Sequence, residues 1–196
     1  MQKPREIQTL LSFFETEGAR FARAQQASGM HCPPGCGACC INPAVEVSPL
    51  EMLPMAYALL EQGKAEALLE QISNHPTSAC PLYEAQPEDP KKGRCTQYET
   101  RPLLCRLFGV SARRDKYNEL EMMLCRELKN LYPELAQDSQ GQIEKLPLVT
   151  ESYQALMELD SRHLLDRQRI SLALSVALEK VLYVSHLVGG QRTENT

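Results

Sequence analysis

Tryptophan is absent from the chain, and aromatic residues of any kind make up only 6% of its 196 residues. So few aromatic faces leave little on which bases could stack, and a formal net charge of −4 gives no general attraction for nucleic acid. No unbroken apolar stretch follows the polar residues 1–6, so no signal peptide is expected. The Ser–His–acid arrangement, the glycine-rich phosphate loop and the HExxH zinc signature are all missing. These residues therefore name no substrate and leave open whether the chain is an enzyme. The longest apolar tract, residues 170–188, is close to a membrane span in length, but Glu179 and Lys180 sit at its middle. Charges at that depth cost several kcal/mol, so the tract is expected to be a buried helix and not a membrane span. The expected location is the cytoplasm, where thiols stay reduced.

What the chain does have is an ordinary globular mixture, 43% hydrophobic and 23% charged, on a length that suits one domain or two small ones. Against that background stand eight cysteines. They are too sparse for a disulfide-stapled miniature scaffold and too clustered to be incidental core thiols.

The pattern of the chain predicts a mainly α fold: a helical domain wrapped around a loop-rich, cysteine-cluster metal-binding core, with one short β-hairpin. Residues 4–27 read as a first helix, with Ile7, Leu10, Leu11, Phe14, Phe21 and Ala24 on one face. Ser48-Pro-Leu-Glu51 has the form of a capping box with Pro at the first helical position, opening a helix over 49–62 that Gly63 ends; a shorter one follows over 64–74. Residues 75–100 are loop-like and proline-rich, and extended pieces at 80–83 and 95–98 are placed to pair across the intervening turn. Thr100 is positioned as the N-cap of a short helix carrying Leu103, Leu104, Leu107 and Phe108. A further helix is expected over 118–132, with Leu120, Leu124, Leu128 and Leu131 as its apolar stripe. The last third, 148–189, contains no cysteine and reads as one long helix or two broken near 166–168, closed by Gly189-Gly190 and followed by a frayed polar tail. Its apolar faces are assigned to Leu156, Leu159, Leu164, Ile170, Leu174, Leu178, Val181 and Val188. The expected division is a cysteine-cluster region over 1–134 and a C-terminal helical extension over 148–190 packed on the same core.

The cysteines carry the chemical signal. Cys32-x-x-x-Cys36-x-x-Cys39-Cys40 forms a knuckle in which short spacings let thiolates converge on one metal, with Gly35 and Gly37 permitting the tight turns. Cys39 and Cys40 are adjacent, so their side chains tend to diverge. Both can serve one cluster, each a different site, or one can remain a packing or substrate-facing thiol. Downstream come Cys80 and then Cys95-x-x-Tyr98-x-x-Arg101-Pro102-x-x-Cys105-Arg106. Four thiolates around zinc or a [4Fe–4S]²⁺ core leave a net charge of about −2, so Arg101 and Arg106 are placed to bind the cofactor electrostatically. The segment 91–126 holds nine cations against four acids, so basic charge gathers where the thiols do. Cys125 falls beside the Leu124 stripe, and as a ligand it would complete a second tetrad.

The knuckle ending in Cys-Cys, together with the later Cys-x-x-Tyr-x-x-Arg-Pro-x-x-Cys-Arg, resembles a cysteine-cluster family described as zinc- or iron-chelating. That family includes small bacterial proteins and the flagellin lysine N-methylases. The resemblance covers about residues 32–108 and implies metal ligation by Cys32, Cys36, Cys39, Cys40, Cys80, Cys95 and Cys105. One departure is visible. The family's first spacing is usually two residues, while Cys32 and Cys36 are separated by three. The methylases use S-adenosylmethionine, but this chain has no glycine-rich nucleotide loop, and methylation is not carried over.

All-sulfur ligation suits an iron–sulfur cluster or zinc and excludes magnesium and calcium. A clustered run of cysteines with distant partners resembles the iron–sulfur pattern more than paired zinc knuckles. The leading reading is a metal-binding protein with a redox or protein-modifying role. Its competitors are a structural zinc module that docks a protein partner without catalysis, and a thiol-based redox sensor or chaperone in which Cys39-Cys40 is reactive.

Overall fold

Apolar periodicity decides most of the architecture. A computed structural model describes residues 3–75, 79–109, 111–134, 143–160 and 166–193. Among these, helix α1 (Arg5–Ser28) buries Ile7, Leu10, Phe14, Phe21 and Ala24, the face expected from their spacing, with Leu11 only partly covered. Helix α2 (Pro49–Glu61) starts at Ser48, whose hydroxyl accepts from Glu51 N–H while the Glu51 carboxylate accepts from Ser48 N–H, a complete capping box. Pro54 sits inside α2 and is buried. Helix α3 is Ala65–Asn74. Pro76, read as loop, lies outside the described residues.

The C-terminal part forms two helices, α6 (Val149–Leu159) and α7 (Ile170–Thr193). Along α7, Ile170, Ala173, Leu174, Ala177, Leu178, Val181 and Leu182 are buried, and the helix packs on α2 and α3 to form the main core. Alternating one- and three-residue steps put these side chains on a single stripe. Residues 170–187 are long and apolar enough to cross a membrane by length and composition alone. The helix does not close at Gly189-Gly190 but runs on to Thr193, and the expected frayed tail falls partly outside the described residues. Leu159, assigned to the apolar face, is exposed. Leu164 and the side chain of Val188 lie outside the described set.

Among the described residues, three small antiparallel strand pairs join these helices. Strand β1 (Glu46–Val47) pairs with β6 (Gln168–Arg169), fastening the entry of α2 to that of α7. The expected hairpin exists but is displaced along the chain: β2 (Tyr83–Ala85) pairs with β3 (Gly93–Cys95), with Tyr83 opposite Cys95. Thr100 does not cap the next helix. It ends a 3₁₀ turn over Tyr98–Thr100, and α4 (Leu103–Leu107) follows Pro102.

The helix expected over 118–132 is not formed as such. Strand β4 (Ala112–Arg114) pairs with β5 (Leu120–Met122), and only Arg126–Leu131 is helical, as α5. The reason lies in the turn. Asp115 Oδ1 accepts from Tyr117 N–H at 2.8 Å and Glu119 N–H at 2.9 Å, and Asn118 takes φ of 68°. That is the turn chemistry of Asp and Asn, and it reverses the chain before a helix can start. Leu128 is fully buried, whereas Leu131 is exposed.

Candidate metal centre

The knuckle is held in place by backbone hydrogen bonds on three sides. Within it, Cys36 N–H donates to Pro33 O at 3.0 Å and Cys40 N–H to Gly37 O at 2.9 Å. Towards β3, Gly37 N–H donates to Lys91 O at 2.6 Å and Gly93 N–H to Gly35 O at 2.8 Å, with Cys36 bridged to Lys92. Cys80 N–H donates to Cys40 O at 2.8 Å, so the knuckle, Cys80 and the hairpin form one unit. The Tyr83 ring lies across two glycines, and its hydroxyl donates to Pro90 O. A Cβ at Gly37 would lie 1.8 Å from the Tyr83 hydroxyl oxygen, and one at Gly93 would lie 2.1 Å from Glu84 O. Close approach of backbone and ring thus requires glycine at both positions. Sequence reasoning missed Tyr83, although its place at the end of the first extended piece, opposite Cys95, was the available signal.

Cys95 ends β3, and Cys105 lies in α4, where its N–H donates to Pro102 O at 3.1 Å. The whole set of eight cysteines is free. Cys32, Cys36, Cys39, Cys40, Cys80, Cys95 and Cys105 line one cavity of about 1220 Å³, whose far wall is the Leu11–Gln25 side of α1. Cys125 lines a different cavity of about 370 Å³. Among the described residues, no three His, Cys, Asp or Glu side chains stand close enough together to hold a metal ion. The sulfurs share a cavity without converging on one point.

Electrostatics couples them. Cys39 acts on Cys32, Cys80, Cys95 and Cys105, and is hydrogen-bonded to Cys40. That hydrogen bond, then burial, holds the Cys39 thiol far above the ordinary range. Burial pushes Cys80 up to about 11, raises Cys95, and holds Cys105 well above a normal thiol. Cys32 is also pushed up to about 11, by burial of its sulfur first and then by Cys36 and Cys125. Each of these thiols is therefore protonated at neutral pH unless a cation replaces the proton.

The two arginines have different surroundings. Arg101 stacks 3.4 Å over the Tyr98 ring, donates through Nε to Tyr98 O, and lowers the thiol pKa of Cys39, Cys95 and Cys105. Arg106 donates to the carbonyls of Arg101 and Glu99 and lies 5.5 Å from the Phe14 ring. Burial lowers its guanidinium pKa. Both arginines line the thiol cavity; Arg101 acts on three of the thiols, while Arg106 lies near Cys105 and also ties down the loop through its carbonyl contacts. The donor set fits a thiophilic metal: free sulfurs from four chain segments, a neighbouring guanidinium, and no disulfide among them. Closure around an ion requires the thiols to turn inward.

No curated protein and no solved structure matches the chain. A profile of a known family matches residues 31–127, a span that extends past the expected 32–108 and takes in all eight cysteines, Cys125 included. From residue 31 to residue 127 the chain belongs to the Cys-x-x-Cys-x-x-Cys-Cys family, a putative zinc- or iron-chelating domain.

Proposed function

We propose that this is a cytoplasmic metal-binding protein whose middle third holds an iron–sulfur cluster through Cys39, Cys80, Cys95 and Cys105, with Arg101 offsetting the cluster's negative charge. The observation that carries the reading is the shared cavity of about 1220 Å³, lined by seven free cysteines and by Arg101. A single zinc ion draws four sulfurs to about 2.3 Å from one point. Here seven cysteines line one larger space, which suits a polynuclear cluster better than one ion. A bound cluster supplies one-electron chemistry, which makes a redox or protein-modifying role the natural use of the site. The residues around it hold the segments that carry the thiols, and Arg94, Arg101 and Arg106 line the same cavity.

The second reading is a structural zinc module that docks a protein partner. It is favoured by the tight backbone fastening of the knuckle to β3, which is the kind of order a closed zinc site reinforces. Anaerobic purification separates the two. A brown protein with broad absorbance at about 400 nm and bound iron supports the first. A colourless protein with stoichiometric zinc supports the second. A protein without either metal overturns both.

A further inference from the structure

Helix α7 buries one side against α2 and α3 and leaves the other uncovered. On the uncovered side Leu172, Val176, Tyr183, Val184 and Leu187 are exposed, Tyr183 by 66% and Leu187 by 53%. Helical spacing sets Leu172, Val176, Tyr183 and Leu187 on one stripe, with Glu179 and Lys180 at its middle. A continuous apolar stripe marks a contact surface, which scattered single apolar residues do not. Lys180 is paired with Glu6 of α1 at 3.4 Å, and His186 stands 3.7 Å from Glu66 of α3. Among the described residues, no cation pairs with Glu179.

The order of residues along the stripe is self-complementary. Leu172 and Leu187 are equally far from the peptide bond between Glu179 and Lys180, and so are Val176 and Tyr183. A second α7, laid antiparallel about a two-fold axis through that bond, sets Leu172 against the partner's Leu187 and Val176 against the partner's Tyr183. The charges agree with the same axis. Glu179 shares the α3 edge of the stripe with His186, two helical turns on, and Lys180 lies on the α1 edge. The two-fold carries the partner's Lys180 to the α3 edge, where Glu179 stands unpaired. We infer that the exposed face of α7 is the interface of a homodimer, built from two antiparallel α7 helices and centred on Glu179 and Lys180. A lipid surface fits this face less well. Helices that lie on membranes carry Lys and Arg along their polar edges, whereas Glu6, Glu66 and Glu179 flank this stripe. Among the described residues, the thiol cavity reaches α7 only at Ile170, so the dimer stands apart from the metal-binding reading.

The test is sedimentation velocity of the full chain from about 1 to about 100 μM, a range suited to an interface below the standard size of about 1,600 Å². Reductant keeps intermolecular disulfides from imitating the dimer. The wild type is expected to pass from monomer to dimer across this range. Tyr183→Glu should stay monomeric with an unchanged melting curve, because Tyr183 is exposed. Glu179→Lys sets Lys against Lys and Lys180→Glu sets Glu against Glu, so each alone should weaken the dimer by about tenfold or more. Mixed together, these two variants regain both opposite-charge contacts and should form a heterodimer. A wild type that stays monomeric overturns the inference; flotation of that monomer with phosphatidylcholine–phosphatidylserine vesicles would make a lipid surface the occupant instead. A dimer that survives Tyr183→Glu overturns it too, as does a mixture of the two charge variants that remains monomeric.

Discussion

The Glu51 carboxylate accepts a hydrogen bond from the backbone N–H of Leu104 at 3.3 Å, across 53 positions of sequence and one residue before Cys105. Its other oxygen accepts from Ser48 N–H at 3.1 Å and from the Ser48 hydroxyl at 3.3 Å. The group is 1% exposed, and burial raises its pKa. A residue placed by a local capping rule therefore also anchors α4, the helix that presents a candidate ligand.

Glu51→Ala removes both roles. It should cost about 2 kcal/mol of stability in urea unfolding, by loss of the cap and of the acceptor for the part-buried Leu104 N–H. Metal affinity should fall as well. Ser48→Ala, which removes only the cap, should cost about 1 kcal/mol and leave metal affinity unchanged. Equal metal affinity in both variants would remove the link between Glu51 and Cys105.

The raised thiols predict an alkaline weakness in the metal-free fold. Cys32 and Cys80 are pushed from about 9 up to about 11. Their contribution to stability is fully present below pH 9 and is lost as pH rises through 11. The urea midpoint of the reduced, metal-free protein should therefore fall between pH 9 and 11, and Cys80→Ser should flatten that fall. Metal binding has the opposite sign: bound thiols must lose their protons, so affinity should weaken as pH drops from 8 to 6.

Arg101 and Arg106 should separate in mutation. Arg101→Gln removes the guanidinium that acts on Cys39, Cys95 and Cys105, and should weaken metal binding by about tenfold. Arg106→Gln should lower thermal stability through the lost contacts to Arg101 O and Glu99 O, with roughly unchanged affinity once folded. Isothermal titration with zinc and a melting curve on each variant check both.

Gly93→Ala should cost about 1–3 kcal/mol, because the new Cβ meets the rigid Glu84 carbonyl and the Tyr83 ring. At Gly37 the nearest atoms to a new Cβ all belong to the Tyr83 side chain, so adding Tyr83→Ala should recover part of the loss in Gly37→Ala. Thermal melts of the two single variants and the double variant give the comparison.

These residues also show what the sequence discloses. The Ser48–Glu51 cap, the buried face of α1 and the stripe of α7 follow local spacing, so they were legible. The Leu120–Leu131 run was misread because apolar residues at helical intervals also suit a strand followed by a short helix. Asp115 and Asn118 decide between the two through turn geometry. At the site, the cysteines and Arg101 were visible as residue types. The reach of Glu51 to Leu104, the Tyr83 ring over Gly37 and Gly93, and the turning of Arg106 towards carbonyls were not visible. Each depends on where distant segments meet, and no local pattern encodes that.

The most direct test of thiolate ligation is X-ray absorption on the metal that the anaerobically purified protein carries. The account predicts bound iron or zinc with a sulfur shell at about 2.3 Å, diminished in Cys105→Ser. A shell of nitrogen and oxygen alone, or a protein that carries neither metal and titrates as free thiols, would contradict it.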